Sequence, residues 1–144
     1  MTELVNRTQV RVYYEDTDFS GRVYHASYVR FLERGRTEWL RQLGLRHDTL
    51  AQTRTAFAVK RLEIDFRAPA FIDDALSIVT EIAALRGAAL RFRQQILRGE
   101  QLLVVAEAQV VTISNNRPVR PPRELLATLR RLGVDHTVDA VAER

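Results

Sequence analysis

The sequence predicts an α+β fold, a five-stranded antiparallel sheet wrapped around one long helix. Three observations carry that expectation. A single helical stretch places Tyr28, Leu32, Gly35, Trp39 and Leu43 at helical spacing, with Phe31 and Leu40 beside them. Long runs with strand character follow it, from Ala56 to Ile113. Turn formers at Asp73-Asp74, Arg86-Gly87 and Arg98-Gly99 divide those runs, as an antiparallel meander requires.

Taken in order, Val10, Val12 and Tyr14 alternate with Gln9, Arg11 and Tyr13, a period of two that predicts the first strand over Val10 to Tyr14. Asp16, Asp18, Ser20 and Gly21 then stop it, so an exposed carboxylate follows a strand end. The helix is expected from about His25, with Arg30, Glu33, Arg34, Thr37 and Arg41 on its wet side and Gly44 as its C-terminal cap. Gly35 in mid-helix costs about 1 kcal/mol against alanine, which predicts a close approach of the sheet there. Arg46 to Arg54 reads as a polar connection, and the adjacent His47 and Asp48 read as structure rather than as a catalytic dyad.

Leu62, Ile64 and Phe66 alternate with Arg61, Glu63, Asp65 and Arg67, so this strand has one buried and one wet face, and Pro69 ends it. Strands over Leu76 to Leu85, Ala88 to Leu97 and Leu102 to Ile113 complete the set. Ser114-Asn115-Asn116 marks a loop that continues through Pro118, Pro121 and Pro122. Leu125, Leu126, Leu129 and Leu132 then give an amphipathic helix over Glu124 to Leu132, expected on the outside of the sheet or on a partner. Residues beyond Gly133 are expected to fray.

The 144 residues predict one domain, with its core over about 8–113 and a loop and short helix over 114–144. No uninterrupted apolar run reaches the roughly 18 residues of a membrane span. The opening MTELVNRTQ lacks the basic and apolar regions of a signal peptide, so a cytoplasmic protein is expected. With no cysteine there is no disulfide, thiol nucleophile or thiolate metal site, and the three histidines, His25, His47 and His136, are too far apart for a local metal-ligand pair. The four serines, Ser20, Ser27, Ser77 and Ser114, include no GxSxG motif, which argues against a serine hydrolase. The net charge of +4 comes from arginine, without the basic and aromatic clustering of a nucleic-acid surface. A solvated basic face and a phosphate-bearing ligand both account for it.

Chemistry concentrates between Val12 and Gly44. A helix start leaves backbone NH groups unpaired and carries partial positive charge, so it stabilises an anion or a developing oxyanion in front of it. Asp18 lies seven residues before His25, across a loop containing Gly21 that is short enough to bring the carboxylate back. A carboxylate base or nucleophile beside an oxyanion holder is what acyl transfer needs. The same residue types also serve as turn formers and caps, and spacing alone does not choose between these roles.

The string YYEDTDFSGRVYHASYVRFLERGRTEW, followed by FAVKRLEIDFRAPAFIDDALSIVTEIAALRGAALRF, resembles the YbgC family of acyl-CoA thioesterases, the Tol-Pal-associated branch of the 4-hydroxybenzoyl-CoA thioesterase group. The likeness covers roughly Thr8 to Ile113, and its specific part is DTD-x-x-G-x-V-Y-H-x-x-Y. It implies the hotdog fold and hydrolysis of an acyl-CoA, with coenzyme A as part of the substrate and no separate cofactor or metal. Asp18 falls where the family has its catalytic carboxylate, and His25 where the helix start polarises the thioester carbonyl. Phe19 and Ser20 stand where many relatives have small residues, a departure that bears on acyl-chain preference. Hotdog sheets have open edges, and the resemblance implies a homo-oligomer, a dimer or a dimer of dimers (a homotetramer), with sites at subunit interfaces. Arg91 and Arg93 share a strand face beside Arg86, and these three could hold the coenzyme A phosphates; ordinary solvated arginines are the competing reading. An acyl carrier protein is a further expected partner. The other readings are an acyl-CoA or carrier-protein binder without significant hydrolysis, a scaffold of the envelope and phospholipid-synthesis machinery, and a hotdog dehydratase, whose His and acid would be placed differently.

Overall fold

The computed structural model describes residues 5–45 and 47–134. In chain order these form β1 (Val5–Arg11), a 3-10 turn (Tyr14–Asp16), α1 (His25–Gln42), α2 (His47–Gln52), β2 (Ala56–Phe66), β3 (Ala75–Arg86), β4 (Ala89–Arg98), β5 (Gln101–Ser114), β6 (Arg117–Pro118) and α3 (Arg123–Arg131). Of the segment expected to fray beyond Gly133, Val134 is held, its N donating to Leu129 O at 2.9 Å, and the rest, His136 included, lies outside the described residues, as do the side chains of His47 and Asp48. No helix among the described residues is long and apolar enough to cross a membrane.

The sheet is antiparallel throughout, in the order β1-β3-β4-β5-β2, with β6 added to β5. The expected meander therefore holds for β3, β4 and β5 only. β2 lies beyond β5, paired from Ala56↔Ile113 to Phe66↔Val104, because the connection after it crosses the sheet before β3 begins. That connection is held as it crosses: Arg67 N and Ala68 N donate to Leu103 O, and Asp73 N donates to Val12 O. The first strand also ends earlier than its alternation predicts, at Arg11, since Tyr14 already belongs to the 3-10 turn. The loop at Asn115 and Asn116 is a tight turn from β5 into β6, both residues having positive φ, a conformation that asparagine tolerates better than most.

α1 lies on the concave face with the predicted stripe inward. Tyr28, Phe31, Leu32, Gly35, Trp39 and Leu40 are buried, while Arg30, Glu33, Arg34 and Arg41 are exposed. Its first half packs with Val10, Val12, Val23, Ala70, Ile78 and Leu103. Its second half packs with Leu85, Leu90, Phe92 and Val110, the Trp39 and Phe92 rings meeting edge to face at 5.0 Å. Leu125 and Leu129 of α3 are fully buried in this second cluster. α3 is therefore part of the core at the end of α1, and does not ride on the outer face of the sheet.

A polar seam separates the two clusters. Gln94, 1% exposed, donates from Nε2 to Leu32 O and to Thr80 Oγ1, both at 2.9 Å, and its Oε1 accepts from Arg36 Nη1 at 3.0 Å. Burial pulls the Arg36 guanidinium below its ordinary pKa, against the opposing charge of Glu33. Gly35 lies over this seam. A Cβ placed there would come within 2.6 Å of Thr80 Oγ1, 2.7 Å of Ile78 Cγ2 and 2.9 Å of Gln94 Nε2. The close approach expected from a mid-helix glycine is present, and it lets the sheet donate a side-chain hydrogen bond to the helix backbone.

Candidate active site

The segment after β1 doubles back on itself before α1 begins. Thr17 bridges Val23 in antiparallel fashion, Asp18 N donates to Arg22 O at 2.9 Å, and Gly21 N closes the turn on Asp18 O at 3.0 Å. Gly21 has φ of +83°, a left-handed conformation that glycine adopts without Cβ strain. The returning leg runs straight into the helix, with Tyr24 N donating to Asp16 O at 2.8 Å. Thus the carboxylate and the helix start, seven residues apart in sequence, belong to two paired legs of one hairpin-like loop.

The crossing connection between β2 and β3 supports that loop from behind. Val23 N donates to Ala70 O at 2.9 Å, Arg22 bridges Phe71, and Ala70 N donates to the Tyr28 hydroxyl at 3.0 Å. Arg98 reaches from the end of β4 to Asp74 at 2.6 Å, and Asp74 also accepts from Phe71 N at 2.8 Å. The topology that takes β2 away from β3 is therefore what places this brace behind the site.

Asp18 is exposed. Its Oδ1 accepts from Ser20 Oγ at 2.6 Å and from Ser20 N at 2.8 Å. These bonds, the hydroxyl's first, and the charge of Arg22 hold its carboxyl below the usual carboxylate pKa. The group is an anion throughout the neutral range, as a base or nucleophile must be. Replacing Ser20 by alanine removes the largest of these influences and is expected to raise the Asp18 pKa toward its ordinary value. Carboxyl-carbon NMR titration of the two proteins reads this directly; an unchanged titration would show that the hydroxyl does not hold the charge.

Asp18 opens on a groove of about 720 Å³ lined by Tyr14, Thr17, Phe19, Gly21, Tyr24 and Ile72 among others. The walls are mainly apolar and aromatic, and Phe19 and Tyr14 stand well out into solvent. The period-two pattern of the sequence predicts a strand at Tyr14. Its place on the groove follows from the 3-10 turn, which a period-two pattern does not reveal.

His25 is the first residue of α1, and its exposed ring lies 4.6 Å from that of Tyr24. Tyr24 provides no side-chain cap and the first turn contains no acidic residue, so no side chain of the helix's own first turn offsets its positive end. The imidazole does not line the groove with Asp18; the helix start it belongs to is joined to that groove through Tyr24.

Arg86, Arg91 and Arg93 are not brought to the groove within this chain. Arg91 and Arg93 alternate with the inward-facing Leu90, Phe92 and Gln94, so they point to the outer face of the sheet. Arg93 stands between Glu81 at 3.9 Å and Glu107 at 3.7 Å, and Arg91 Nε is buried without an acceptor. A smaller cavity of about 80 Å³, against Arg36, Phe57 and Phe92, contains none of the predicted site residues. Among the described residues, no cluster of His, Cys, Asp or Glu could hold a metal ion.

Asp16, one of the turn formers in the sequence, is a buried carboxylate. It is 5% exposed, and Arg30 meets it at 2.9 Å. No spacing rule distinguishes it from Asp18, because burial of one and exposure of the other depend on which way the loop folds.

Residues 12–129 match the model of the thioesterase-like superfamily. The chain is 43% identical to the acyl-CoA thioester hydrolase YbgC of Escherichia coli O6:H1, over 91% of this chain and all of that protein. It is also 43% identical to the acyl-CoA thioesterase YbgC of Haemophilus influenzae, over 85% of this chain and 93% of that one. Among solved structures, a "Probable Thioesterase" from Bartonella henselae superposes with a TM-score of 0.80 at 44% identity, covering 82% of this chain and 99% of that one.

Proposed function

From the premise that this chain belongs to the thioesterase-like superfamily and within it to the YbgC family of hotdog-fold thioesterases, we propose that it hydrolyses acyl-CoA thioesters at the groove that holds Asp18. The observation that carries this reading is an ionised, exposed carboxylate on the same tight loop as an uncapped helix start. In this reading the thioester carbonyl oxygen faces the NH groups at His25. Asp18 takes a proton from water as hydroxide adds to the carbonyl carbon, or attacks that carbon itself to give a mixed anhydride that water then opens. Either route leaves negative charge on the former carbonyl oxygen, which the helix start stabilises. In the first route the C–S bond then breaks, the proton held by Asp18 passes to the coenzyme A thiolate and the free acid is left. In the second the C–S bond breaks as the anhydride forms, the thiolate takes a proton from solvent, and opening of the anhydride by water frees the acid and restores Asp18. The aromatic groove walls suit an acyl chain or the pantetheine arm.

The test is free-thiol release from acyl-CoAs of graded chain length and from the same acyl groups on a carrier protein. Hydrolysis of at least one CoA thioester, unchanged by a chelator, is expected, since no step uses a metal or other cofactor. Failure on every CoA thioester with hydrolysis of a carrier thioester would move the substrate class, and failure on both would leave a binding or scaffold role.

The coenzyme A phosphates are assigned to Arg86, Arg91 and Arg93, presented across a subunit interface. β2 is an edge strand that exposes Val59 and Phe66, and a homo-oligomer paired through such an edge suits this site. Arg91→Gln is expected to raise KM for an acyl-CoA by about tenfold, from the loss of a charge-assisted bond. The same variant should leave KM unchanged for the acyl N-acetylcysteamine thioester, which lacks the phosphates. Equal effects on both substrates would remove Arg91 from the phosphate site. The location proposed is the cytoplasm, where acyl-CoA is made and used.

A further inference from the structure

We propose that Asp16 is the positioning residue of this site, the group that sets Asp18 against the start of α1; the proposal rests on the thioesterase reading above. Its neighbours Glu15, Asp18, Phe19 and Ser20 are exposed, whereas Asp16 is buried beneath the loop. A carboxylate withdrawn from water raises the free energy of the fold unless its oxygens and its charge are met. Here they are met by groups from three separate pieces of the site. Oδ2 accepts from Tyr13 N at 2.9 Å, on the leg that leads to Asp18. Oδ1 accepts from Arg30 Nη2 at 2.9 Å, and the same nitrogen reaches Ser27 Oγ at 3.2 Å, both within the first turns of α1. The main-chain oxygen accepts from Tyr24 N at 2.8 Å, on the leg that enters the helix.

One residue therefore ties the approach to Asp18, the return to His25 and the body of the helix. Asp16 does not line the groove, so it acts on the reaction only through the groups it holds. The carboxylate and the oxyanion donors must be held together at the reacting carbon, and a misplacement of about 1 Å can cost roughly 100-fold in rate. Asp18 lies two residues past Asp16 and the first helical amide lies one past Tyr24. Any slackening at Asp16 is passed to both with little chain to absorb it.

The test compares Asp16→Ala, Asp16→Asn and Arg30→Gln with wild type, each measured per folded molecule. Asp16→Ala is expected to lose about 100-fold in kcat with KM within about threefold, a pattern of lost alignment rather than lost binding. Asp16→Asn retains an acceptor for Tyr13 N and is expected to recover at least about tenfold of that loss, while keeping the fold if the alanine variant does not. Amide exchange supplies a reading independent of turnover: it should quicken over residues 13–25 in Asp16→Ala and Arg30→Gln and stay unchanged in β4 and β5. A folded Asp16→Ala with wild-type kcat, or with wild-type exchange over 13–25, would overturn the proposal. If instead wild type hydrolyses no thioester, the hydrolase reading falls and the catalytic half of this proposal with it.

Discussion

Asp18→Asn should lower kcat by several orders of magnitude while leaving the fold and substrate affinity nearly intact. The substitution is close to isosteric, and Ser20 N and Oγ keep an oxygen to bond at this position. What disappears is the negative charge, and with it both routes open to the site: an amide neither attacks a thioester carbon nor accepts a proton from water at neutral pH. General-base catalysis alone is worth roughly 100- to 10,000-fold, and loss of a covalent route adds to that. Because Asp18 is exposed at the lip of the groove, its replacement removes no core contact, and the thermal midpoint should stay within about a degree or two. Thiol release at near the wild-type rate in this variant would sink the assignment of Asp18. His25→Ala is the informative companion. It keeps the backbone NH, so a smaller loss is expected if the main chain holds the oxyanion, and an equal loss would transfer that role to the imidazole.

The largest structural effect is expected at Gly35. Alanine is the better helix former by about 1 kcal/mol, so on an exposed helix Gly35→Ala would stabilise. In this fold its methyl would meet Thr80 Oγ1, Ile78 Cγ2 and Gln94 Nε2, all closer than 3 Å. Overpacking of this kind costs about 1–3 kcal/mol, and breaking the buried bonds of Gln94 to Leu32 O and Thr80 adds about 1–3 kcal/mol more. Set against the helix gain of alanine, the net loss is about 1–5 kcal/mol, a fall in Tm on the order of 10 °C. An unchanged or raised Tm would mean that the sheet moves away from α1 at little cost. A variant such as Trp39→Ala tests the packed core of the same helix, but only Gly35→Ala tests the contact between helix backbone and sheet.

Much of this arrangement was legible from local pattern. The helix begins at His25 and buries the stripe read from its spacing, and Gly44, with φ of +88°, follows it as expected. β3, β4 and β5 fall within a residue or two of their predicted bounds because each is a long run ended by a turn former. Asp18 and the helix start could be singled out as candidates because the chemistry of both is local: a carboxylate in a turn, and helix-start amides without a side-chain cap.

The rest depended on contacts between distant residues. Nothing near Leu62 or Phe66 says that β2 pairs with β5 instead of β3, since an alternating edge strand presents the same pattern beside any neighbour. Nothing within Leu125 to Leu132 says that α3 enters the core; its apolar face is equally suited to any apolar surface, and the space left by Trp39, Leu85 and Leu90 decided it. The inward turn of Arg36 onto Gln94 was likewise invisible, because the acceptor comes from a strand 58 residues away. Asp16 and Asp18 are the same residue type two positions apart, yet one is buried against Arg30 and the other opens on the groove. Residue chemistry and periodicity are properties of a segment, so they were readable along the chain; burial, strand neighbours and hydrogen-bond partners are properties of pairs, and only the folded arrangement brings the pairs together.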